Sequence, residues 1–212
     1  MRKLVTGIAA ASALALTIGT AGPAAAEELG TDSLAGVLTS DGNKFDKNKK
    51  DFDIVTEAVL AVLAEKPSSP VGLLADGTVA LTAFVPNDEA FRKLVKDLTG
   101  KTYKKERTVF NKLVKAVGVD TVEAVLLYHV VPGATIDSGA ASQANGVKLA
   151  TALEGKSFKV IVKGSSIRLR DKDYNSRNPR VNVVDVNEGN KQIAHGIDRV
   201  LRPMDLPPLN KH

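Results

Sequence analysis

The chain has 212 residues, of which 43% are hydrophobic and 25% charged, a balance that supports one ordinary domain with appendages and excludes a disordered tail. With 4% aromatic residues and no Trp, the core must come from Val, Leu, Ile and Ala. The absence of cysteine excludes disulfides, a thiol nucleophile, a thiolate metal site and a Cys-linked lipid.

Arg2 and Lys3 open the chain with positive charge, residues 4–20 are apolar and Ala-rich, and Ala24-Ala25-Ala26 supplies small residues before Glu27. That order predicts a secretory signal peptide over residues 1–26, cut after Ala26. A membrane anchor is the weaker reading, because the run is barely long enough, poor in Leu and Ile, and broken by Gly22-Pro23. Removing the two cations lowers the formal charge from +5 to +3, so strong basicity must be local. Residues 27–207 are expected to form a single domain and 208–212 a C-terminal tail without a sorting motif. The expected location is extracellular, with no membrane span in the mature chain.

A short helical entry is predicted over 33–38, followed by a polar, turn-rich stretch over 41–51. Phe52, Val55, Val59, Val62 and Leu63 fall at helical spacing, and Pro67 and Pro70 end that helix. Residues 79–85 read as a strand that stops at Pro86. Asn87 then caps a helix carrying Asp88 and Glu89 in its first turn, where negative charge suits the helix dipole. Gly100 closes this helix. A third helix places Val109, Phe110, Leu113, Val114 and Val117 on one face, and Asp120 or Thr121 caps a shorter one that runs into Tyr128. Strands are predicted at 130–131, 134–136, 158–162, 167–170, 181–186 and 192–201, with 163–166 turning a hairpin.

Between the helices and the strands lies LLYHVVPG, residues 126–133, which sets Tyr128 and His129 inside an apolar run. An unpaired polar group in a core costs roughly 1–3 kcal/mol. Both rings are therefore expected to be fixed by hydrogen bonds at an internal junction. Helices first and strands after them imply an α+β fold, with helices segregated against an antiparallel sandwich.

Three stretches go further. LTAFVPNDEAFRKL (81–94), LLYHVVPGATI (126–136) and VNVVDVNEGNKQIAHGIDRVLRP (181–203) resemble, in order, the boxes and central Tyr-His motif of the fasciclin-like domain family. The resemblance spans roughly residues 31–207 and implies a wedge-shaped β-sandwich with a helical layer, in a secreted bacterial single-domain member. It also implies a non-enzymatic interaction or cell-adhesion module at the cell surface, envelope or extracellular matrix. The motif residues fall on Tyr128 and His129, with Asn87 and Asp88 in the first box and His195 and Asp198 in the last. Segment 101–119 is longer and more basic than the family pattern.

Catalysis is not expected. The three histidines are His129, His195 and His212, no Gly-x-Ser-x-Gly elbow occurs, and a hydrolase reading has no assembled triad or carboxylate pair to stand on. Two acidic turns mimic calcium loops. Asp46-x-Asn48 with Glu57 matches three EF-hand positions, but Lys50 and Asp51 break the pattern. Asp171-x-Asp173-x-Asn175 matches the first, third and fifth positions, but Ser176 and Asn182 break the pattern. Both are read as solvated Asx-type turns, so no metal and no cofactor are expected. Two basic clusters form a candidate binding surface: Lys101, Lys104, Lys105 and Arg107, then Lys163, Arg168, Arg170, Lys172, Arg177 and Arg180. They suit an extracellular protein or an acidic cell-envelope polymer or glycan. Nucleic acid is not expected, because stacking aromatics are missing beside the charge. The alternative is a carrier that holds a small hydrophobic ligand between helices and sandwich. A monomer is expected.

Overall fold

The computed structural model describes residues 28–204, apart from 41 and 43. The signal-peptide reading, the C-terminal tail and His212 lie outside these residues.

Ser33 caps α1 (Leu34–Leu38) by accepting the Gly36 N–H on its Oγ. Helix α2 (Asp53–Glu65) buries Ile54, Val55, Ala58, Val59 and Val62 at the predicted spacing. A 3₁₀ turn follows at Pro70–Ala75, its start fixed by Ser69 and by proline at the first position. Strand β1 (Leu81–Pro86) leads into α3 (Asp88–Thr99). The Asn87 carboxamide accepts the Ala90 N–H at 3.0 Å, and Gly100 ends the helix in the left-handed conformation at φ 71°. Helix α4 (Glu106–Val117) turns Val109 and Leu113 into the core. Helix α5 (Val119–Tyr128) begins two or three residues earlier than predicted. The break is Gly118 at φ 78°, and no side chain caps the helix, so backbone geometry rather than Asp120 or Thr121 sets its start.

Two sheets follow. One has the order β2-β1-β7-β6, with β2 at Val130–Pro132, β6 at Val181–Val186 and β7 at Gln192–Ile197. The other has the order β3-β4-β5, at Lys148–Ala150, Ser157–Lys163 and Ser166–Arg170. Short helix α6 (Ser138–Gln143), capped by Asp137, and strand β3 are absent from the sequence reading, while 134–136 is not a strand.

The α+β arrangement with a segregated helical layer is the observed one, and its antiparallel description needs one correction. Strands β1 and β7 pair in parallel over six positions, from Leu81 opposite Gln192 to Pro86 opposite Ile197. Parallel partners need a long crossover, and here α3, α4, α5 and the whole second sheet lie between them in sequence. Every residue of both strands is buried, as expected when a sheet is covered on both faces.

The two faces divide the core. Leu81, Ala83 and Val85 of β1 join α2, α3 and α5 in one apolar cluster, while the intervening Phe84 points into another with Tyr128, Phe158, Val160 and Leu169. The alternation has the period of two that a pleated strand imposes. Phe84 meets Phe158 edge to face with centroids 5.3 Å apart. Gly196 permits close approach at the other strand: a Cβ there would lie 2.9 Å from Val183 Cβ and 3.1 Å from Phe52 Cζ.

Candidate functional site

His129 sits where α5 ends, 5% exposed. Its Nδ1 lies 2.6 Å from the Val125 carbonyl, and its Nε2 accepts the Leu201 N–H at 2.9 Å. Those partners fix the tautomer: Nδ1 carries the proton and Nε2 is the acceptor. Neither nitrogen is left to take a proton from a substrate. Burial pushes the imidazole pKa down to about 4, against the opposing pull of the Val125 carbonyl.

The unfolded imidazole titrates near 6.5, so acid protonates the unfolded chain first. His129 contributes its stabilisation in full above pH 6.5 and loses it as the pH falls from 6.5 towards 4. The unfolding free energy of wild type minus that of His129→Gln is expected to shrink by about 3 kcal/mol between pH 7 and pH 4. A difference that does not change with pH contradicts the sealed ring. Taking the difference cancels Asp171, whose carboxyl burial pushes up to about 6 and which acts in the opposite direction.

Tyr128 is fully buried. Its O–H donates to the Ser157 carbonyl at 3.0 Å, and its ring meets Phe158 edge-on. His195, on β7, is also engaged at both nitrogens: Nε2 lies 2.8 Å from the Ile136 carbonyl and Nδ1 accepts the Asp185 N–H at 3.3 Å. Asp198 accepts the Arg180 N–H at 2.7 Å and reaches Arg177 at 3.5 Å. Tyr128, His129 and His195 thus join helices, sheets and C-terminal segment from within, while Asp198 ties down residues 177–180 nearer the surface.

The open face is elsewhere. A groove of about 1110 Å³ runs between the 45–49 turn, α3 and the 102–107 segment, lined by eight cationic side chains against three acidic ones. Its floor is a buried ion pair, Arg92 Nη2 to Glu106 Oε1 at 2.7 Å. Arg92 also donates to the Tyr103 and Lys104 carbonyls, and Glu106 Oε2 accepts the Asp46 N–H at 2.6 Å. One pair therefore ties together all three walls. Burial pushes the Glu106 carboxyl pKa up, against the Arg92 charge. Above the floor the Arg107 guanidinium covers the Phe45 ring at 5.1 Å, which holds the 45–49 turn against α4.

Of the predicted basic surface, Lys104, Lys105 and Arg107 line this groove and Lys101 does not. Lys163, Arg168 and Arg170 lie on the β4–β5 hairpin, and Lys172, Arg177 and Arg180 on the chain that follows it; none of these six lines the groove. The groove's other cations include Lys47, Lys49, Lys93 and Lys96, which sequence reasoning did not assign to a site. Their signal was the Lys-rich 44–50 turn and the i, i+3 spacing of Lys93 and Lys96.

The turn at 171–175 requires a correction. Asp171 and Asp173 are buried rather than solvated, at 7% and 3% exposed. Asp173 does form the expected Asx turn, accepting the Asn175 N–H at 2.9 Å. Its other oxygen pairs with Arg202 at 2.6 Å, and Asp171 accepts the Arg202 N–H at 2.9 Å. Arg202 also pairs with Asp97 on α3, so the turn clamps the C-terminal segment. A purely apolar cavity lies among α3, α4, α5 and residues 200–204, but its volume is about 70 Å³, well below the roughly 300 Å³ of a small-molecule pocket.

Among the described residues, helices are layered on two small sheets, His129 and His195 are satisfied internally, and an open charged groove lies at the surface. The fasciclin domain model matches residues 59–203, and the chain belongs to the fasciclin domain family. Among solved structures it is similar to the FAS1 domain pair of the insect cell adhesion molecule Fasciclin I, with a TM-score of 0.52 and 16% identity. That match covers 73% of this chain and 48% of the other, so the chain spans about half the length of that structure. The likeness is one of fold. Curated proteins give no match. Fasciclin domains are generally non-enzymatic interaction modules, typically extracellular or at the cell surface. Among the described residues no helix is long and apolar enough to cross a membrane.

Proposed function

We propose that this protein is a secreted, non-enzymatic adhesion-type module of the bacterial envelope or extracellular matrix, and that it binds an acidic partner through the groove between the 45–49 turn, α3 and the 102–107 segment. The observation that carries the reading is the excess of cations in that groove, eight against three. Concave surfaces lined by one sign of charge raise the local concentration of the opposite sign. The groove's walls are fixed by a buried ion pair, so the cations are presented without a large ordering cost. The occupant that fits is a polyanion: an acidic envelope polymer or glycan, or an acidic protein face. The apolar signal-like segment before Glu27 supports export.

The test is retention on an immobilised anionic polymer against a salt gradient, with a near-neutral protein of similar size as control. Wild type is expected to elute well after the control, and Lys104→Glu with Lys105→Glu to elute close to it. Both lysines are exposed, so the double variant keeps its fold. Co-elution of wild type with the control removes the proposal.

A further inference from the structure

Beneath the groove the 46–53 turn is latched onto the start of α3. The Asp88 N–H donates to the Asp51 carbonyl at 3.1 Å, and the Glu89 N–H to the Lys49 carbonyl at 3.0 Å. The Asp88 carboxylate accepts the Ile54 N–H on Oδ1 at 3.0 Å. This latch gathers five carboxylates from three parts of the chain. Oxygens of Asp46, Asp51 and Asp53 lie within 4.8 Å of one another, and so do oxygens of Asp53, Asp88 and Glu106. All three residues of the second triad are buried.

A cluster of acids alone proves nothing, but Asp88 adds a separate observation. It is fully buried, and its Oδ2 has no hydrogen-bond partner. An unpaired carboxylate oxygen closed off from water among like charges is costly, and proteins answer it with a proton or a cation.

We propose that Asp53, Asp88 and Glu106, with Asp46 and Asp51 on the solvent side, form a binding site for a divalent cation of the calcium type. The donors are all hard carboxylate oxygens; those of Glu106 already pair with Arg92 and accept the Asp46 N–H, and would offer the ion a second lone pair. The chain has no cysteine, and His129 and His195 are engaged elsewhere, which argues against zinc or copper. Calcium–oxygen distances are about 2.4 Å, so oxygens on opposite sides of the ion stand about 4.8 Å apart, and the oxygens of each triad lie within that span of one another. Magnesium requires a tighter octahedron, with distances of about 2.0–2.1 Å. Access is open, because Asp46 is exposed and both Asp46 and Glu106 line the groove. The cluster is not an EF-hand: Glu57 is not in it, and Asp88 and Glu106 come from α3 and α4. The inference is independent of what occupies the groove.

The experiment is calorimetric titration of chelator-stripped protein with calcium chloride at pH 7.5, alongside melting scans at constant ionic strength with and without 5 mM ion. One calcium per chain is expected to bind, raising the melting temperature by roughly 2–8 °C. Magnesium at the same concentration is expected to raise it by less than half as much. Asp53→Asn is expected to weaken calcium binding by at least about tenfold. Asp46→Asn, at an exposed position, gives the same test if the buried variant fails to fold. Absence of both heat and melting shift in wild type up to 10 mM calcium overturns the site. Unchanged binding in a folded Asp53→Asn or Asp46→Asn variant also overturns it.

Discussion

His129→Ala is expected to destabilise the protein by about 3–5 kcal/mol, through lost packing and two orphaned backbone groups. Among the described residues the imidazole is the side-chain partner of both the Val125 carbonyl and the Leu201 N–H, which meet it from opposite sides. Truncation leaves a buried carbonyl at the end of α5 and a buried amide beyond β7 without that partner. It also opens a cavity beside Leu126 and Val130, in the interior shared by helices and first sheet. For a domain of this size the melting temperature should fall by roughly 6–20 °C. Thermal unfolding of both forms at pH 7.5 decides the matter. A melt indistinguishable from wild type means that the ring is not the internal junction described above. A folded His129→Ala protein that has lost an activity would revive the hydrolase reading.

Much of this was legible in the amino-acid order because the elements are locally consistent. Asn87, Gly100 and the apolar stripe from Phe91 to Leu98 all point to the helix that forms there. His129 was legible as a buried, satisfied group because its neighbours in sequence are apolar. Its partner Leu201, 72 residues away, was not, since long-range hydrogen bonds leave no periodic trace. The parallel pairing of β1 with β7 was hidden for a related reason: two fully buried strands show no polar alternation, and nothing in either states its direction. Strand β3 and helix α6 are short and weakly apolar, with one buried residue, Ala141, between them. The groove illustrates the same limit. Lys104 and Lys105 announce themselves as a run, but Lys47 and Lys93 join them only in the fold, above the Arg92–Glu106 pair. Asp88 reads as a first-turn acid suited to the helix dipole, and only the fold shows it sealed inside.

A second large effect is expected at a residue that no motif reading singles out for its chemistry. Gln192, the first residue of β7, is completely buried. Its Oε1 accepts the Leu34 N–H at 2.8 Å, and its Nε2 donates to the Leu73 carbonyl at 2.8 Å and the Asp76 carbonyl at 2.7 Å. One carboxamide thus satisfies the start of α1 and the end of the 3₁₀ turn, beside the Gly30 and Asp32 bonds that also tie the N-terminal segment to the turn before β7. Gln192→Leu nearly conserves volume, so packing is preserved while three buried backbone groups lose their partner. The expected cost is about 3–5 kcal/mol, since each orphaned group contributes roughly 1–3 kcal/mol less whatever relaxation recovers. Gln192→Glu separates charge from shape. It keeps an acceptor for Leu34 but turns a carboxylate oxygen towards two carbonyls, and it should be at least as damaging as the leucine variant. Denaturant unfolding measures the total. Hydrogen exchange at the Leu34 amide reports the local consequence, which should be faster exchange in both variants. If Gln192→Leu unfolds within about 1 kcal/mol of wild type, the first strand of contacts between the N-terminal helix and β7 is carried by packing alone, and the carboxamide is not the clamp that joins them.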